Sequence, residues 1–198
     1  IGIVVFAVMF YSLIAHRKSQ GHQADHWHEH LGAELAWTLI PFVILGFMAW
    51  PAVQTLLKVY DTDEPAMDIV ITGYQWKWKY DYLNEEGVSF FSNLATPQDE
   101  INGKKEKSEF YLLEVDEPIH IPVNTKVRFL ITANDVIHSW WVPELAVKKD
   151  AIPGIMNEAW TKADKVGIYR GQCAELCGKD HGFMPIVVKS VSIDKYIE

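Results

Sequence analysis

Residues 173–184 read C-A-E-L-C-G-K-D-H-G-F-M and gather both cysteines of the chain with a histidine and a methionine. Cys177 follows Cys173 by four positions, His181 follows by four more, and Met184 by a further three. Two thiolates, an imidazole and a thioether form a soft donor set, which suits copper rather than calcium, magnesium or manganese. A mononuclear blue-copper site uses one cysteine, two histidines and a weak axial methionine. Here a second cysteine is present, and a short turn can bring both sulfurs inward. Shared between two metal ions, the two sulfurs would make a four-atom copper–sulfur core. Such a site needs a second imidazole from elsewhere, and His138 in N-D-V-I-H-S-W-W is the candidate.

Three other readings compete for the cysteines. A disulfide is open to two cysteines in an extracytoplasmic domain. Zinc takes two Cys and two His, but it would leave Met184 without a role, thioether sulfur being a poor zinc ligand. A redox thiol pair usually reads C-x-x-C, one residue shorter than the spacing here. Met184 alone reads more readily as core filler than as a ligand. The ligand chemistry of the whole set favours copper.

The elements that must position these residues differ sharply along the chain. Apolar residues crowd the first sixty positions and acids crowd the rest. From Asp61 onward there are 15 Lys and Arg against 23 Asp and Glu, which is the whole of the chain's formal charge of −8. An acidic domain points to a basic partner and argues against nucleic acid. There is no internal repeat and no low-complexity tract.

Residues 1–15 are uncharged and mostly apolar, ending at His16-Arg17-Lys18. As a helix they cover roughly 22 Å, short of a bilayer core of about 30 Å. The run starts at Ile1 without a methionine, a basic leader or a cleavage site of small residues. It therefore reads as a transmembrane helix cut at its start, with residues missing upstream, rather than as a signal peptide. Residues 35–57 are uncharged and long enough to span with some tilt, Pro41 and Pro51 being tolerable in a membrane helix. Glu34 at the start of this helix fits the macrodipole, with a proton-uptake carboxylate facing a partner subunit as the functional alternative. Between the two runs lie His22, His26, His28 and His30, read as a polar loop rather than a metal site. A hairpin over residues 1–58 would place all that follows on the side opposite this loop, with Arg17 and Lys18 cytoplasmic.

Residues 59–66 read as an acidic, proline-containing linker, and residues 67–198 as a β domain. Strands are expected over residues 67–72, 74–82, 110–115, 126–133, 159–161, 167–172 and 186–193, punctuated by Pro, Gly, Asn and Asp. Many short strands imply an antiparallel sandwich or barrel. Residues 87–108 form the one long polar interval, expected as a surface loop or strand insert. In residues 74–82, Y-Q-W-K-W-K-Y-D-Y, rings alternate with polar residues. They serve equally well as a core face or as a docking surface with Trp76 or Trp78 exposed. His138 is expected just after a strand, and Asp150 as the cap of the turn D-A-I-P-G.

Taken together, Glu34-Leu-Ala-Trp-Thr-Leu-Ile-Pro, Gly73-Tyr-Gln-Trp, Val136-Ile-His-Ser-Trp, Asp150-Ala-Ile-Pro-Gly and the cysteine loop resemble subunit II of the haem–copper cytochrome c oxidases over nearly the whole chain. Details such as Y-Q-W-K-W-K look proteobacterial. Tyr74 stands where the family often has histidine. The resemblance implies a membrane-anchored cupredoxin-like β-sandwich with a binuclear copper centre. In it Cys173 and Cys177 bridge both ions, His138 and Met184 complete one, and His181 with the backbone carbonyl of Glu175 completes the other. The Glu175 side chain would help hold magnesium or manganese shared with subunit I. Trp76 matches the tryptophan through which electrons enter, and Glu34 the carboxylate at the mouth of a proton channel.

The implied function is acceptance of electrons from cytochrome c and their transfer to haem in subunit I, where oxygen is reduced to water with proton pumping. Implied partners are subunits I and III and membrane lipid. The implied location is the bacterial inner membrane with the C-terminal domain in the periplasm, or the mitochondrial inner membrane. No C-x-x-C-H occurs, so no c-type haem is expected on these residues. A membrane-tethered copper-delivery or storage protein is the rival from another class. A quinol-oxidising relative would generally lack the copper ligands, and nitrous oxide reductase lacks the hairpin.

Overall fold

A computed structural model describes residues 1–23 and 29–197. The chain divides into two compact units, Ile1–Ala52 and Val53–Glu198. The first contains α1 (Gly2–Ala15) and most of α2 (Leu31–Tyr60). No described residue of either helix is buried. A helix of 30 residues is about 45 Å long, more than enough to cross a hydrocarbon core of about 30 Å, and α2 is apolar enough to do so. At about 21 Å, the 14 described residues of α1 are apolar but shorter than a span. The long helix starts four residues before the expected 35 and ends three after the expected 57. Its first turn explains the early start: the ring Nδ1 of His30 accepts the Ala33 N–H at 3.1 Å, and Glu34 Oε1 accepts the His30 N–H at 3.2 Å. Together these bonds satisfy two backbone donors at the helix start. His26 and His28 of the histidine cluster lie outside the described residues.

The second unit is a sandwich of two five-stranded sheets. One is built from β1 (Met67–Tyr74), β2 (Lys77–Tyr82), β3 (Ser89–Ser92), β5 (Val127–Ala133) and β8 (Asn157–Thr161) in the order β3-β2-β1-β5-β8. The other uses β4 (Ile119–Pro122), β6 (His138–Val142), β7 (Val147–Ala151), β9 (Gly167–Cys173) and β10 (Pro185–Val191) in the order β4-β10-β9-β6-β7. Most pairs are antiparallel; β1 with β5 and β4 with β10 run parallel. Two short helices complete the unit, α3 (Gln98–Ile101) and α4 (Ile193–Ile197).

Period-two burial is what makes the sandwich. In β1, Met67, Ile69 and Ile71 point inward while their neighbours are half-exposed. Val127, Phe129 and Ile131 repeat the pattern in β5, whereas β10 opens on a run of four buried residues from Pro185. Trp78, Tyr80, Trp140 and Phe129 are fully buried between the sheets. The Trp140 indole N–H finds the Tyr80 hydroxyl at 3.3 Å. Burying such large apolar surfaces supplies the main driving force for this unit.

Several strand expectations need correction. Residues 74–82 do not form one strand: β1 runs through Tyr74, the chain turns at Gln75-Trp76, and β2 begins at Lys77. The ring-bearing face of β2 is core, so Trp78 is not a surface residue. Residues 110–115 are a turn, with only a lone bridge from Leu94 to Val115. There Arg170 stacks on the Phe110 ring at 3.6 Å and pairs with Glu114, which fixes the segment without a ladder. The polar interval at 87–108 does carry a strand insert, β3, together with α3. His138 follows β5 after residues 134–137 and itself opens a further strand, β6.

Candidate metal centre

The cysteine loop joins β9 to β10, two strands paired in the same sheet. Cys173 is the last residue of β9, opposite Trp140 of β6. His138 starts β6, so sheet pairing brings it beside Cys173 across 35 residues of sequence. The Ala174 N–H bonds to the Ser139 carbonyl at 3.0 Å and carries the pairing one residue into the loop. The chain then turns through Gly178, makes a short 3-10 turn over His181–Phe183, and returns through Met184 into β10.

The donors converge on the two sulfurs. Cys173 Sγ lies 3.9 Å from Cys177 Sγ, roughly twice the ~2.0 Å of a disulfide, so the thiols are free. His138 Nδ1 is 3.9 Å from Cys173 Sγ, and the Glu175 carbonyl is 3.4 Å from it. His181 Nδ1 is 3.5 Å and Met184 Sδ 3.6 Å from Cys177 Sγ. His138, Cys173 and Cys177 place one ligand atom each within 4.8 Å of one another. His138 is wholly buried, as are both cysteines and Met184 to within a few per cent, while His181 is half-buried at the rim. Met184 therefore turns its thioether toward the cluster, beyond what core filling requires. Copper is the metal this set of sulfur and imidazole donors fits.

Local electrostatics prepare the site. Burial works to raise the Cys173 thiol, but hydrogen bonds from His138 and from the Ser139 and Glu175 backbone outweigh it and hold the thiol at about 7. Burial and then the adjacent Cys173 charge push the Cys177 thiol up to about 12. Burial opposes charge on His138, yet Cys173 and Asp135 hold its imidazole above the usual range. Asp135 is likewise opposed by burial, and bonds from His138, Gln75 and Val136 keep its carboxylate below the usual range.

Sequence reasoning gave no role to four residues that shape this centre. Asp135 Oδ1 lies 2.8 Å from His138 Nε2, and its Oδ2 accepts the Gln75 N–H at 2.7 Å. Gln75 Nε2 and the Trp76 indole N–H both donate to the Cys177 carbonyl, at 2.9 and 3.2 Å. Gly73 faces His138 so closely that a Cβ would sit 2.8 Å from its ring. Gly178, at φ +121°, lies directly under the Trp76 ring. The signal for Asp135 was its place three residues before a candidate ligand; for the glycines and Gln75, no pattern in the sequence pointed inward.

Trp76 itself is partly exposed at the turn between β1 and β2, over the cysteine loop. The Glu175 side chain is exposed and lines a depression with Lys148, Lys149 and Asp150. Asp150 lies within β7, paired with Ser139, so it is a strand residue and not a turn cap. Glu34 lies in the other unit, in the first turn of α2.

Comparison with known proteins agrees with this arrangement. Residues 67–191 match the family profile described as cytochrome c oxidase subunit II, periplasmic domain. Cytochrome c oxidase subunit 2 of Metridium senile is 44% identical over 165 residues, 83% of this chain and 65% of that protein, so the chain spans just under two thirds of this relative's length. The crystal structure of the periplasmic domain of subunit II of the Bradyrhizobium japonicum cytochrome oxidase is 41% identical with a TM-score of 0.61, covering 69% of this chain and 91% of that one. A second crystal structure, of subunit II of cytochrome c oxidase in a mixed disulfide with a thioredoxin-like protein, is 39% identical with a TM-score of 0.57, covering 70% and 90%. With the sandwich, the His/Cys/Cys cluster and the apolar helix in place, the chain belongs to the cytochrome c oxidase subunit II family.

Proposed function

We propose that this chain is the electron-accepting subunit of a cytochrome c oxidase, with two copper ions held by Cys173, Cys177, His138, His181, Met184 and the Glu175 carbonyl. The observation that carries this reading is the convergence of two imidazole Nδ1 atoms, a thioether and a carbonyl on a pair of free sulfurs 3.9 Å apart. A single metal would leave some of these six donors idle. When bound, the copper pair supplies a one-electron carrier whose charge change is spread over two metals and two thiolates. The chain's part is to hold the donors rigidly, so that little reorganisation accompanies electron uptake. Two paired strands of one sheet, β9 and β10, hold both ends of the loop, and Asp135 and Gln75 fasten its flanks.

The donor in this reading is a reduced, basic cytochrome c, which gives up one electron. The formal −8 carried beyond residue 60 would steer it, and Trp76 would receive it. A depression of about 420 Å³ lined by Trp76, Gln98, Ile101, Asp180 and Phe183 offers a mixed apolar and acidic seat. The electron then leaves toward haem in subunit I, with Glu175 helping to hold magnesium or manganese at that boundary and Glu34 serving proton uptake. Residues 1–58 anchor the chain as a two-helix hairpin in the bacterial inner membrane beside subunits I and III, and 59–66 link this anchor to the copper domain. Stopped-flow reduction of the assembled, copper-loaded complex by cytochrome c tests the proposal. Rapid reduction of a copper chromophore that vanishes in Cys173→Ser is expected; a chromophore that cytochrome c does not reduce would favour copper storage.

A further inference from the structure

We propose that Gln75 and Gly178 are positioning residues that fix the Trp76 indole on the backbone of Cys177, and so set the rate at which electrons pass from the donor to the centre. The inference rests on the reading of Trp76 given above and extends it to residues to which no role has been assigned.

The turn between β1 and β2 is fastened to the metal loop by a two-donor clasp. The Cys177 carbonyl accepts Gln75 Nε2 at 2.9 Å and Trp76 Nε1 at 3.2 Å, using both of its lone pairs. Gln75 is also held at its other end, where its backbone N–H donates to Asp135 Oδ2 at 2.7 Å. Its side chain is therefore a short strut from the His138 side of the centre to the Cys177 side. Gly178, the residue after Cys177, provides the space. A Cβ there would lie 3.0 Å from Trp76 Cζ2 and 3.2 Å from Gln75 Nε2, closer than either group tolerates without moving. Its φ of +121° is also a conformation that residues with side chains rarely adopt.

This matters because Trp76 is only partly buried. Packing against the core on one side leaves the ring free to lift on the other, where Lys179 Nζ lies 5.7 Å from its centroid. The clasp opposes that motion and supplies an unbroken path, indole N–H to carbonyl to cysteine, from the surface to a sulfur ligand. Neither Gln75 nor Gly178 offers a side chain to the metal. Loss of the strut should move the indole and leave the donor set alone. Electron transfer slows as donor and acceptor separate, so a displaced indole lowers the rate.

The test uses two readouts on Gln75→Leu and Gly178→Ala, with Trp76→Phe as reference. In the metal-free full chain in detergent, selective nitrogen labelling of the indoles reports the Trp76 N–H resonance and its solvent exchange. In the assembled copper-loaded oxidase, stopped-flow reduction by cytochrome c gives the electron-transfer rate, and titration gives KM. The expected result is a shifted, faster-exchanging Trp76 N–H in both variants, with a severalfold lower rate, unchanged KM and an unchanged copper spectrum. An unmoved indole signal with an unmoved rate overturns the proposal, as does a rate loss that follows a changed copper spectrum. If Trp76→Phe leaves the rate intact, the electron-acceptor reading of Trp76 is what fails; the indole signal still decides whether the clasp exists.

Discussion

Asp135 grips His138 from the side away from the sulfurs. Its Oδ1 is 2.8 Å from Nε2, while Nδ1 faces Cys173 Sγ at 3.9 Å. A ring that donates through Nε2 keeps Nδ1 free of its proton, so the hydrogen bond selects the tautomer that can bind a metal. A buried imidazole with both nitrogens committed has little freedom left.

Asp135→Ala should therefore loosen copper binding by on the order of 10–100-fold, the usual loss when the partner of a metal-bound histidine is removed. Competition with a copper chelator measures it. Asp135→Asn, which keeps a side-chain acceptor, should recover part of the affinity. Equal affinity in wild type and Asp135→Ala would mean that the carboxylate does not orient the ring.

Gly73→Ala should disturb the same histidine from the opposite face. The new methyl would meet Cδ2 of His138 at 2.8 Å between the two sheets, Gly73 lying on β1 of one and His138 on β6 of the other. Overpacking of this kind costs about 1–3 kcal/mol. Denaturant unfolding of the metal-free chain should show a lower midpoint, and the copper spectrum should change. A spectrum identical to wild type would show that the ring does not sit against Gly73.

Metal loading should release protons in a pH-dependent way. Metal binding needs thiolates, and the pair ionises in two steps, at about 7 and about 12. Below about 7 both thiols are protonated; above it Cys177 still carries a proton. Copper uptake should thus strengthen as pH rises through 7, and proton release per chain should be larger below that value than above it, without vanishing above. Titration in weak buffer with a pH indicator measures this, and zero release in mildly alkaline solution would contradict the coupled pair.

Ionic strength should govern the reaction with the donor. The acidic charge of −8 acts over a Debye length of about 10 Å at 0.1 M salt and less at higher salt. Added salt should slow association with a basic cytochrome c while the first-order electron-transfer step stays constant. An association rate indifferent to salt would remove electrostatic steering.

The ligands were legible because their chemistry is written in residue type and spacing: few other tasks need Cys173, Cys177, His181 and Met184 so close together. The supports were not. Asp135, Gln75, Gly73 and Gly178 act through where the β1–β2 turn and the β6 start meet the loop, and that meeting is a property of sheet order. Alternation alone could not divide residues 74–82, because Tyr74, Trp78, Tyr80 and Tyr82 keep their period across a turn at Gln75-Trp76. The short strands β3, β4, β6 and β7 escaped notice for a related reason. They are only four or five residues long, too short for a clear period, and β4 also rests on a partner distant in sequence, as Ile119 does on Val188. Residues 110–115 have the composition of a strand, but the Phe110–Arg170–Glu114 contacts hold them as a turn.

The account stands most directly on how many copper ions share the two sulfurs. Metal analysis of the purified chain, combined with electron paramagnetic resonance of its oxidised form, measures this. The expected result is two copper ions per chain and an unpaired electron split equally by both nuclei. A single copper per chain, or hyperfine structure from one nucleus alone, would contradict it.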